Sequence, residues 1–196
     1  MERKKELRKD IAFIKTQQAS LDTRKSESAN VLQAIENNTV FQQAKTVLLY
    51  YSLNDEVDTH EFVEKWSSEK RVLLPVVIGD KLILRIYSNF ADMESGPFGI
   101  CEPTGKEFTD YDEIDFIAVP GVAFDRQGHR LGRGKGYYDK LLPQMPKAYK
   151  AGICFSFQLV ENVPTDEYDV CMDTIITSNE DKLSHTHLSL PPCDGE

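Results

Sequence analysis

The sequence lacks long apolar runs and is poor in cysteine, and both shortages exclude classes of protein. Its longest apolar runs, at 47–51 and 72–78, are far shorter than the roughly 20 residues that a membrane-spanning helix needs. The N-terminal segment MERKKELRKD carries charges of both signs and no apolar stretch, so no secretory signal is expected. The four cysteines are too few for a disulfide scaffold, and none are paired at metal-ligand spacing. We therefore expect reduced thiols in a cytoplasmic protein that does not bind membranes.

Basic residues are also in short supply. The 196 residues include 23 Lys and Arg against 32 Asp and Glu, which gives a net charge of -9. A general nucleic-acid-binding protein needs the opposite balance, and an anionic membrane surface would repel such a chain. Apolar residues make up 40% and charged residues 28%, which is typical of a folded domain. The composition therefore favours a single globular domain without a nucleic-acid or membrane partner. We expect a monomer or weak homo-oligomer.

The pattern of apolar residues predicts alternating helices and strands. Leu7, Ile11 and Ile14 recur at helical spacing, and a second helical pattern around 31–35 completes an N-terminal helix pair. Strands are predicted at 45–52, 71–78, 81–87, 114–120, 150–157 and 174–177, and further helices at 58–70 and 137–142. This alternation predicts an α/β fold, a single domain whose mostly parallel central sheet is flanked by helices on both faces.

Two segments show no regular pattern. Residues 88–113 read as a long irregular loop, which in a compact domain is usually functional or disordered; here it is a candidate lid. Residues 184–196 have no period and are predicted to be a poorly ordered tail. The domain is therefore expected to span residues 1–183.

The segment from 120 to 139, PGVAFDRQGHRLGRGKGYYD, carries the clearest chemical signal. It follows a predicted strand and precedes a predicted helix, which is where open α/β sheets bind ligands. Between Arg130 and Tyr137, three glycines alternate with cationic residues. Glycines let backbone N–H groups turn toward an anion, and the cations supply charge. The segment therefore predicts a site for a polyphosphate, although a solvated basic turn would also explain the pattern.

The spacing matches neither common nucleotide motif. Gly136 follows Lys135 where a Walker A loop requires Ser or Thr, and the glycines do not form a dinucleotide fingerprint. Asp139 ends the segment at a position suited to Mg²⁺ held with a bound triphosphate. An acidic residue early in a helix is equally explained by interaction with the helix dipole.

The same 120–139 segment resembles the signature of the 5-formyltetrahydrofolate cyclo-ligases, also called 5,10-methenyltetrahydrofolate synthetases. Four other segments resemble the same family and extend the likeness from Lys4 to about Thr177. They are KKELR with Lys4 and Arg8, YYSLNDE ending at Glu56, GPFGICEP from 96 to 103, and VPTDEYD ending at Asp169.

The resemblance implies an ATP-dependent enzyme that converts 5-formyltetrahydrofolate to 5,10-methenyltetrahydrofolate and releases ADP and phosphate. The formyl oxygen is first phosphorylated, and N10 then closes the ring as phosphate leaves. Such chemistry needs alignment and charge neutralisation rather than a covalent nucleophile. ATP is the implied co-substrate and Mg²⁺ the implied metal.

The resemblance also implies a role for each matching residue. Arg133 and Lys135 are the implied catalytic residues, and Asp139 and Asp169 the implied magnesium ligands. The residues implied to contact the folate are Tyr51, Glu56, Arg133, Gly134, Lys135, Gly136 and Tyr137. Those implied to contact ATP are Lys4, Arg8, Arg130, Leu131, Gly132, Arg133, Gly134, Lys135, Gly136, Tyr137 and Tyr138.

Two alternatives remain open at this point. A sugar-phosphate isomerase-like α/β enzyme would bind a phosphate on such a loop without ATP, but it leaves Lys4, Arg8 and the two carboxylates unexplained. A non-catalytic nucleotide or folate sensor would keep the same pocket and lack turnover.

Overall fold

A computed structural model describes residues 2–18, 21–96 and 101–178 of the chain. The helices are α1 (Glu2–Gln18), α2 (Leu21–Asn37), α3 (Thr39–Gln43), α4 (His60–Ser67) and α5 (Tyr137–Leu141). The first six strands are β1 (Thr46–Leu48), β2 (Arg71–Ile78), β3 (Lys81–Ile86), β4 (Met93–Ser95), β5 (Cys101–Pro103) and β6 (Glu107–Phe108). The remaining strands are β7 (Phe116–Pro120), β8 (Ala123–Asp125), β9 (Arg130–Leu131), β10 (Tyr149–Cys154), β11 (Leu159–Val160) and β12 (Thr174–Thr177).

A seven-stranded sheet in the order β12-β10-β7-β1-β2-β3-β6 forms the centre of the molecule. Five neighbouring strands, from β12 to β2, are parallel. β3 and β6 extend this sheet as antiparallel strands at one edge. The predicted α/β fold with a mostly parallel sheet is therefore confirmed.

Helices cover both faces of this sheet because side chains along each strand alternate between two cores. Val47 of β1 and Leu49, directly after the strand, lie in the core beneath α2, α3 and α4. Leu48 points the other way, into the core that includes Leu141 of α5. Such strands are buried on both faces, which explains their nearly continuous apolar sequence.

A second, small sheet has the order β11-β8-β9. Two of its strands, β8 and β9, lie within the 120–139 segment, where the sequence predicted no strand. Helix α1 packs on this sheet, where Ile11 meets Ala123, Leu131 and Val163. The two N-terminal helices therefore contact different parts of the fold. Strands of two or three residues, such as β8 and β9, are too short to show a period in the sequence.

The segment predicted to be irregular at 88–113 contains three short strands. β4 and β5 pair as an antiparallel hairpin, and β6 pairs with β3 at the edge of the large sheet. The prediction of a structureless loop was therefore wrong, since edge pairing supplies order that the sequence pattern does not show. Residues 97–100, which hold most of the GPFG element, lie outside the described residues, as does the predicted tail at 184–196.

The sequence leads us to expect no membrane-spanning helix and only reduced cysteines. No helix among the described residues combines the length and apolar character needed to cross a bilayer. Cys101 and Cys154 are free thiols, whereas Cys171 is disulfide-bonded, which departs from the expected reduced state. Cys193 lies outside the described residues.

A buried carboxylate organises the turn between β8 and β9. Asp125 is 1% exposed, and its Oδ1 accepts hydrogen bonds from the backbone N–H groups of Gln127 and His129, both at 3.0 Å. Its Oδ2 accepts from the Val163 N–H at 2.9 Å and from the His129 Nδ1 at 2.8 Å. This network joins β8, the turn and the segment after β11, and so supports the base of the glycine-rich segment.

We expect Asp125→Ala to lower the free energy of unfolding by about 3 kcal/mol, because it leaves three backbone N–H groups, including the buried N–H of Val163, without their acceptor. Denaturant unfolding would measure the change. The matched control is Asp112→Ala, whose carboxylate is 74% exposed and should matter by less than about 0.5 kcal/mol. Equal stability of the two variants would contradict this structural role.

Candidate active site

The topology creates a crevice at the carboxyl ends of β1 and β7. The chain continues from β1 to β2 on one side and from β7 to β10 on the other, so the connections that follow these two strands run in opposite directions along the sheet. Open α/β sheets bind ligands where the connections from neighbouring parallel strands separate in this way. The YYSLNDE segment follows β1, and the glycine-rich segment follows β7, so the fold brings together two of the segments that the sequence singled out.

The segment after β1 forms a closed loop held by side-chain hydrogen bonds. The Thr59 hydroxyl donates to the Tyr50 carbonyl at 2.5 Å and accepts from the Ser52 N–H at 3.2 Å. The Ser52 hydroxyl accepts from the Thr59 N–H at 3.1 Å. These bonds replace sheet pairing and explain why the strand predicted at 45–52 ends at Leu48. The loop between them presents Asp55 and Glu56.

The glycine-rich segment lies directly against α1. The Arg8 Nε donates to the Gly132 carbonyl at 2.8 Å. Gly134 has φ of +98°, and a Cβ there would lie 3.6 Å from the Arg8 guanidinium carbon. Gly136 has φ of +68° and stands at the N-terminus of α5. Positive φ values of this kind favour glycine, which explains two of the three alternating glycines.

An ion-pair cluster joins the two segments to each other and to α1. The Arg133 guanidinium donates to Asp55 at 2.6 and 3.2 Å and to Glu56 at 2.9 and 3.2 Å. The Lys15 ammonium contacts the second oxygen of Asp55. Glu56 is 11% exposed, and its other oxygen accepts from the Leu53 N–H at 3.0 Å. The cluster thus holds two cations and two carboxylates.

This arrangement shifts the pKa values of Asp55 and Arg133 in the direction that keeps both groups charged. Burial acts to raise the pKa of Asp55, but the hydrogen bonds from Arg133 and Lys15 outweigh it and hold the pKa below its usual value. Burial acts to lower the pKa of Arg133, but Asp55 and Glu56 raise it. The charges therefore stabilise one another.

A cleft of about 200 Å³ opens beside this cluster. Its walls combine charged and apolar groups, which suits a ligand with both a polyanionic and a flat apolar part. Gln158 shapes one wall by donating from its Nε2 to the carbonyls of Gly121 and Val122 at 2.8 and 3.0 Å. The lining residues are Arg8, Ile11, Ala12, Lys15, Asp55, Gly121, Val122, Arg133, Phe157 and Gln158.

Two predicted phosphate-binding cations lie in ion pairs with the two predicted metal ligands. Lys4 pairs with Asp169 at 2.5 Å and with Asp166 at 2.8 Å. Arg130 pairs with Asp139 at 2.5 Å. Burial acts to lower the pKa of Lys4, but its hydrogen bonds to the two aspartates raise it.

Several predicted contacts lie beneath the glycine-rich segment rather than on its surface. The Arg130 side chain is 4% exposed, donates to the Pro120 carbonyl at 3.2 Å and lies over the Tyr138 ring. Leu131 is buried in the core below α1. The Tyr138 hydroxyl is buried without a hydrogen-bond partner among the described residues. Burial, together with the charge of Glu56, raises the pKa of Tyr138 well above its usual value.

The remaining predicted residues face other directions. Lys135 is exposed and makes no hydrogen bond or ion pair with the described part of the chain. The Tyr137 hydroxyl donates to the Gly79 carbonyl at the β2–β3 turn, at 3.4 Å. The Tyr51 ring stacks on His60, with ring centroids 3.9 Å apart. Arg8 and Arg133 line the cleft and Glu56 contacts Arg133, whereas Lys135, Tyr137 and Tyr51 are not among the residues that line the cleft.

The described residues form no ready metal cage. They contain no group of three or more His, Cys, Asp or Glu side chains that could hold a metal ion. Mg²⁺ bound with a nucleotide needs only one or two protein carboxylates, because phosphates and water fill its other positions. Asp139 fits that limited requirement, since its ion pair with Arg130 uses one oxygen and its side chain is 28% exposed.

Two residues of the cluster, Lys15 and Asp55, were not among the site residues predicted from the sequence. The signal for Lys15 was present, because positions 4, 8, 11 and 15 share one helix face. Asp55 lies beside the selected Glu56, and nothing in the sequence shows that both meet Arg133.

Comparisons with known proteins agree on one family. The model of the 5-formyltetrahydrofolate cyclo-ligase family matches residues 1–178. The chain is similar to the 5-formyltetrahydrofolate cyclo-ligase of Haemophilus influenzae, at 31% identity over 183 residues, 89% of this chain and 97% of the relative. It is also similar to the 5-formyltetrahydrofolate cyclo-ligase of Escherichia coli K12, at 33% identity over 146 residues, 70% of this chain and 80% of the relative.

Two solved structures share the fold. The 5,10-methenyltetrahydrofolate synthetase of Aquifex aeolicus matches with a TM-score of 0.80 and 36% identity, over 94% of this chain and 97% of that one. The synthetase of Mycoplasma pneumoniae matches with a TM-score of 0.72 and 28% identity, over 90% of this chain and 99% of that one. The likeness covers nearly the whole chain.

The Asp55 ion pairs predict a pH-dependent contribution to stability. An aspartate whose pKa is lowered on folding stabilises the fold above its ordinary pKa of 3.8, and this stabilisation is lost as the pH falls further. We therefore expect Asp55→Asn to be less stable than the parent chain at pH 7, with the difference shrinking below about pH 4.

Urea unfolding between pH 7 and pH 3 would measure this difference. Asp58→Asn is the matched control, because Asp58 lies in the same loop and its side chain is 62% exposed. Its carboxylate accepts from the His60 N–H at 3.1 Å and lies 3.8 Å from the His60 Nδ1, and it forms no ion pair with a Lys or Arg of the described residues. A stability difference that stays constant over this pH range would contradict the Asp55 ion pairs.

Proposed function

Because the chain belongs to the 5-formyltetrahydrofolate cyclo-ligase family, we propose that it closes 5-formyltetrahydrofolate to 5,10-methenyltetrahydrofolate at the expense of ATP. ADP and phosphate are the other products. The site of this reaction is the cleft between α1, the loop after β1 and the glycine-rich segment.

The chemistry proceeds in two steps. The N5-formyl oxygen attacks the γ-phosphorus of ATP, and ADP leaves. N10 then attacks the formyl carbon, phosphate departs with the former formyl oxygen, and N10 loses its proton. Both steps depend on alignment and on neutralising charge, for which a site needs fixed cations and backbone donors.

Arg133 and Lys135 are the groups proposed to meet the transferred phosphoryl group. Arg133 lines the cleft, and the positive φ of Gly134 between them gives the backbone an unusual path. Lys135 is exposed and forms no ion pair with the described residues, so it need not break one to bind a phosphate. In this proposal both cations reach the same phosphoryl group.

Helix α1 supplies the second group of cations. Arg8 lines the cleft and already holds the glycine-rich segment through the Gly132 carbonyl. Lys4 lies one helical turn away, and to reach a phosphate it must exchange Asp169 for that ligand. Gly134, Gly136 and the backbone from Arg130 to Tyr138 complete the proposed nucleotide contacts.

The loop after β1 is proposed to bind the pterin. Glu56 would accept hydrogen bonds from the N–H edge of the heterocycle, which a carboxylate suits because it is purely an acceptor. Tyr51 would lie against the folate, with its ring held in plane by His60. Mg²⁺ bound with ATP would neutralise phosphate charge, with Asp139 or Asp169 holding it directly or through water.

One observation carries this proposal. Arg133, from the glycine-rich segment, contacts Glu56, from the loop after β1, beside the cleft that Arg8 of α1 also lines. The proposed phosphate-binding and pterin-binding groups are thus neighbours, as direct transfer from ATP to the formyl oxygen requires. A glycine-rich segment directed away from Glu56 would not support this reaction.

Incubation of the purified chain with Mg·ATP and 5-formyltetrahydrofolate tests the proposal. We expect new near-ultraviolet absorbance from 5,10-methenyltetrahydrofolate, with one ADP formed for each product molecule. ATP binding without product would contradict the enzymatic proposal and favour a nucleotide or folate sensor. Product formation without ATP would contradict the phosphorylation step.

We expect Lys135→Ala to lower kcat by about 100-fold or more, because it removes a cation from the developing phosphoryl charge. The absorbance assay at saturating ATP would measure this loss. Lys147→Ala is the control, since Lys147 is 71% exposed and, within residues 2–18, 21–96 and 101–178, pairs only with the surface residue Asp112. A normal rate for Lys135→Ala would remove this lysine from the site.

A further inference from the structure

Asp55 has no role in the proposed reaction, although its side chain lines the cleft. Its Oδ1 accepts from Arg133 at 2.6 Å, and its Oδ2 accepts from Arg133 at 3.2 Å and contacts Lys15. It therefore joins α1 to the glycine-rich segment. The side chain is 30% exposed, so these ion pairs are partly shielded from water.

Arg133 divides its donors between two carboxylates. Its two terminal nitrogens face Asp55 in the forked geometry that makes such pairs strong. Its Nε and one terminal nitrogen face a single oxygen of Glu56, at 3.2 and 2.9 Å. The Asp55 pair is therefore sufficient to orient the guanidinium without the Glu56 pair.

The pterin-binding role of Glu56 requires an exchange of partners. Both of its oxygens are engaged, Oε1 by Arg133 and Oε2 by the Leu53 N–H. To accept from the heterocycle, Oε1 must loosen its contact with the guanidinium. Without another anion nearby, that guanidinium would lose its partner or keep Glu56 for itself.

We propose that Asp55 is a positioning residue that retains Arg133 in the cleft while Glu56 exchanges the guanidinium for the folate. This inference rests on the proposed function and adds to it a division of labour between neighbouring carboxylates. Asp55 holds Arg133, and Glu56 is free to turn to the substrate.

The Asp55→Asn variant would remove this division. The asparagine oxygen still accepts one hydrogen bond, but it has no charge with which to hold a guanidinium. Arg133 would then depend on Glu56 alone, and it would compete with the heterocycle for the same oxygen. We expect the Kd for 5-formyltetrahydrofolate to rise by about tenfold or more, the scale of a charge-assisted hydrogen bond.

Calorimetric titration of 5-formyltetrahydrofolate into five proteins would test the proposal, with their folded state checked by circular dichroism. The proteins are the parent chain, Asp55→Asn, Asp58→Asn, Arg133→Ala and the double variant Asp55→Asn/Arg133→Ala. Asp58→Asn makes the same change of charge in the same loop and should leave the Kd within about twofold of the parent value.

The double variant separates positioning from a general effect on the loop. If Asp55 acts through Arg133, Asp55→Asn costs about tenfold in the parent chain and nothing further once Arg133 is alanine. An equal cost in both backgrounds would overturn the proposal, because a distorted loop would weaken binding with or without the guanidinium. A Kd for Asp55→Asn equal to that of Asp58→Asn would also overturn it.

The absorbance assay distinguishes failure of this inference from failure of the proposed function. Turnover by the parent chain together with no effect of Asp55→Asn would overturn only the role of Asp55. A parent chain that neither binds 5-formyltetrahydrofolate nor forms product would overturn both.

Discussion

The contact of Arg133 with Asp55 and Glu56 is the interaction on which the geometry of the site depends. Arg133 lies 78 positions after Asp55 and 77 positions after Glu56 in the sequence, and it meets both at the carboxyl ends of the neighbouring strands β1 and β7. Lys15 extends the cluster to α1, so three separate parts of the chain meet through four charged groups. Each charge offsets the cost of partly burying another, which makes the cleft wall both polar and ordered.

Charge balance is local in this acidic protein. The chain carries a net charge of -9, yet the proposed site gathers the cations Lys4, Arg8, Arg130, Arg133 and Lys135. Lys4, Arg130 and Arg133 each lie against a carboxylate, whereas Lys135 does not among the described residues. Binding a polyphosphate at such a site is therefore an exchange of anionic partners as well as an attraction. Exchange of this kind favours the ligand that matches the geometry of the cations over an anion that merely has charge.

The support beneath the site is as specific as its surface. Asp125 organises the turn before β9, Gln158 holds two carbonyls at the cleft wall, and Thr59 closes the loop that presents Glu56. None of these contacts follows from a period or a motif, because each joins a side chain to a backbone group chosen by the tertiary fold. A site that must align two reactants gains from such fixed support.

The sequence by itself determined six of the seven strands of the large sheet, the helices on its faces and the position of the glycine-rich segment after β7. Strands buried on both faces need nearly continuous apolar runs, and positive φ at Gly134 and Gly136 favours glycine. Both features can therefore be recognised in a short stretch of sequence. Only the tertiary structure decided that Arg130 is buried, that β8 and β9 form a second sheet under α1, and that Asp55 shares Arg133 with Glu56. Those outcomes depend on contacts between residues that are distant in sequence, and a local sequence pattern does not predict such contacts.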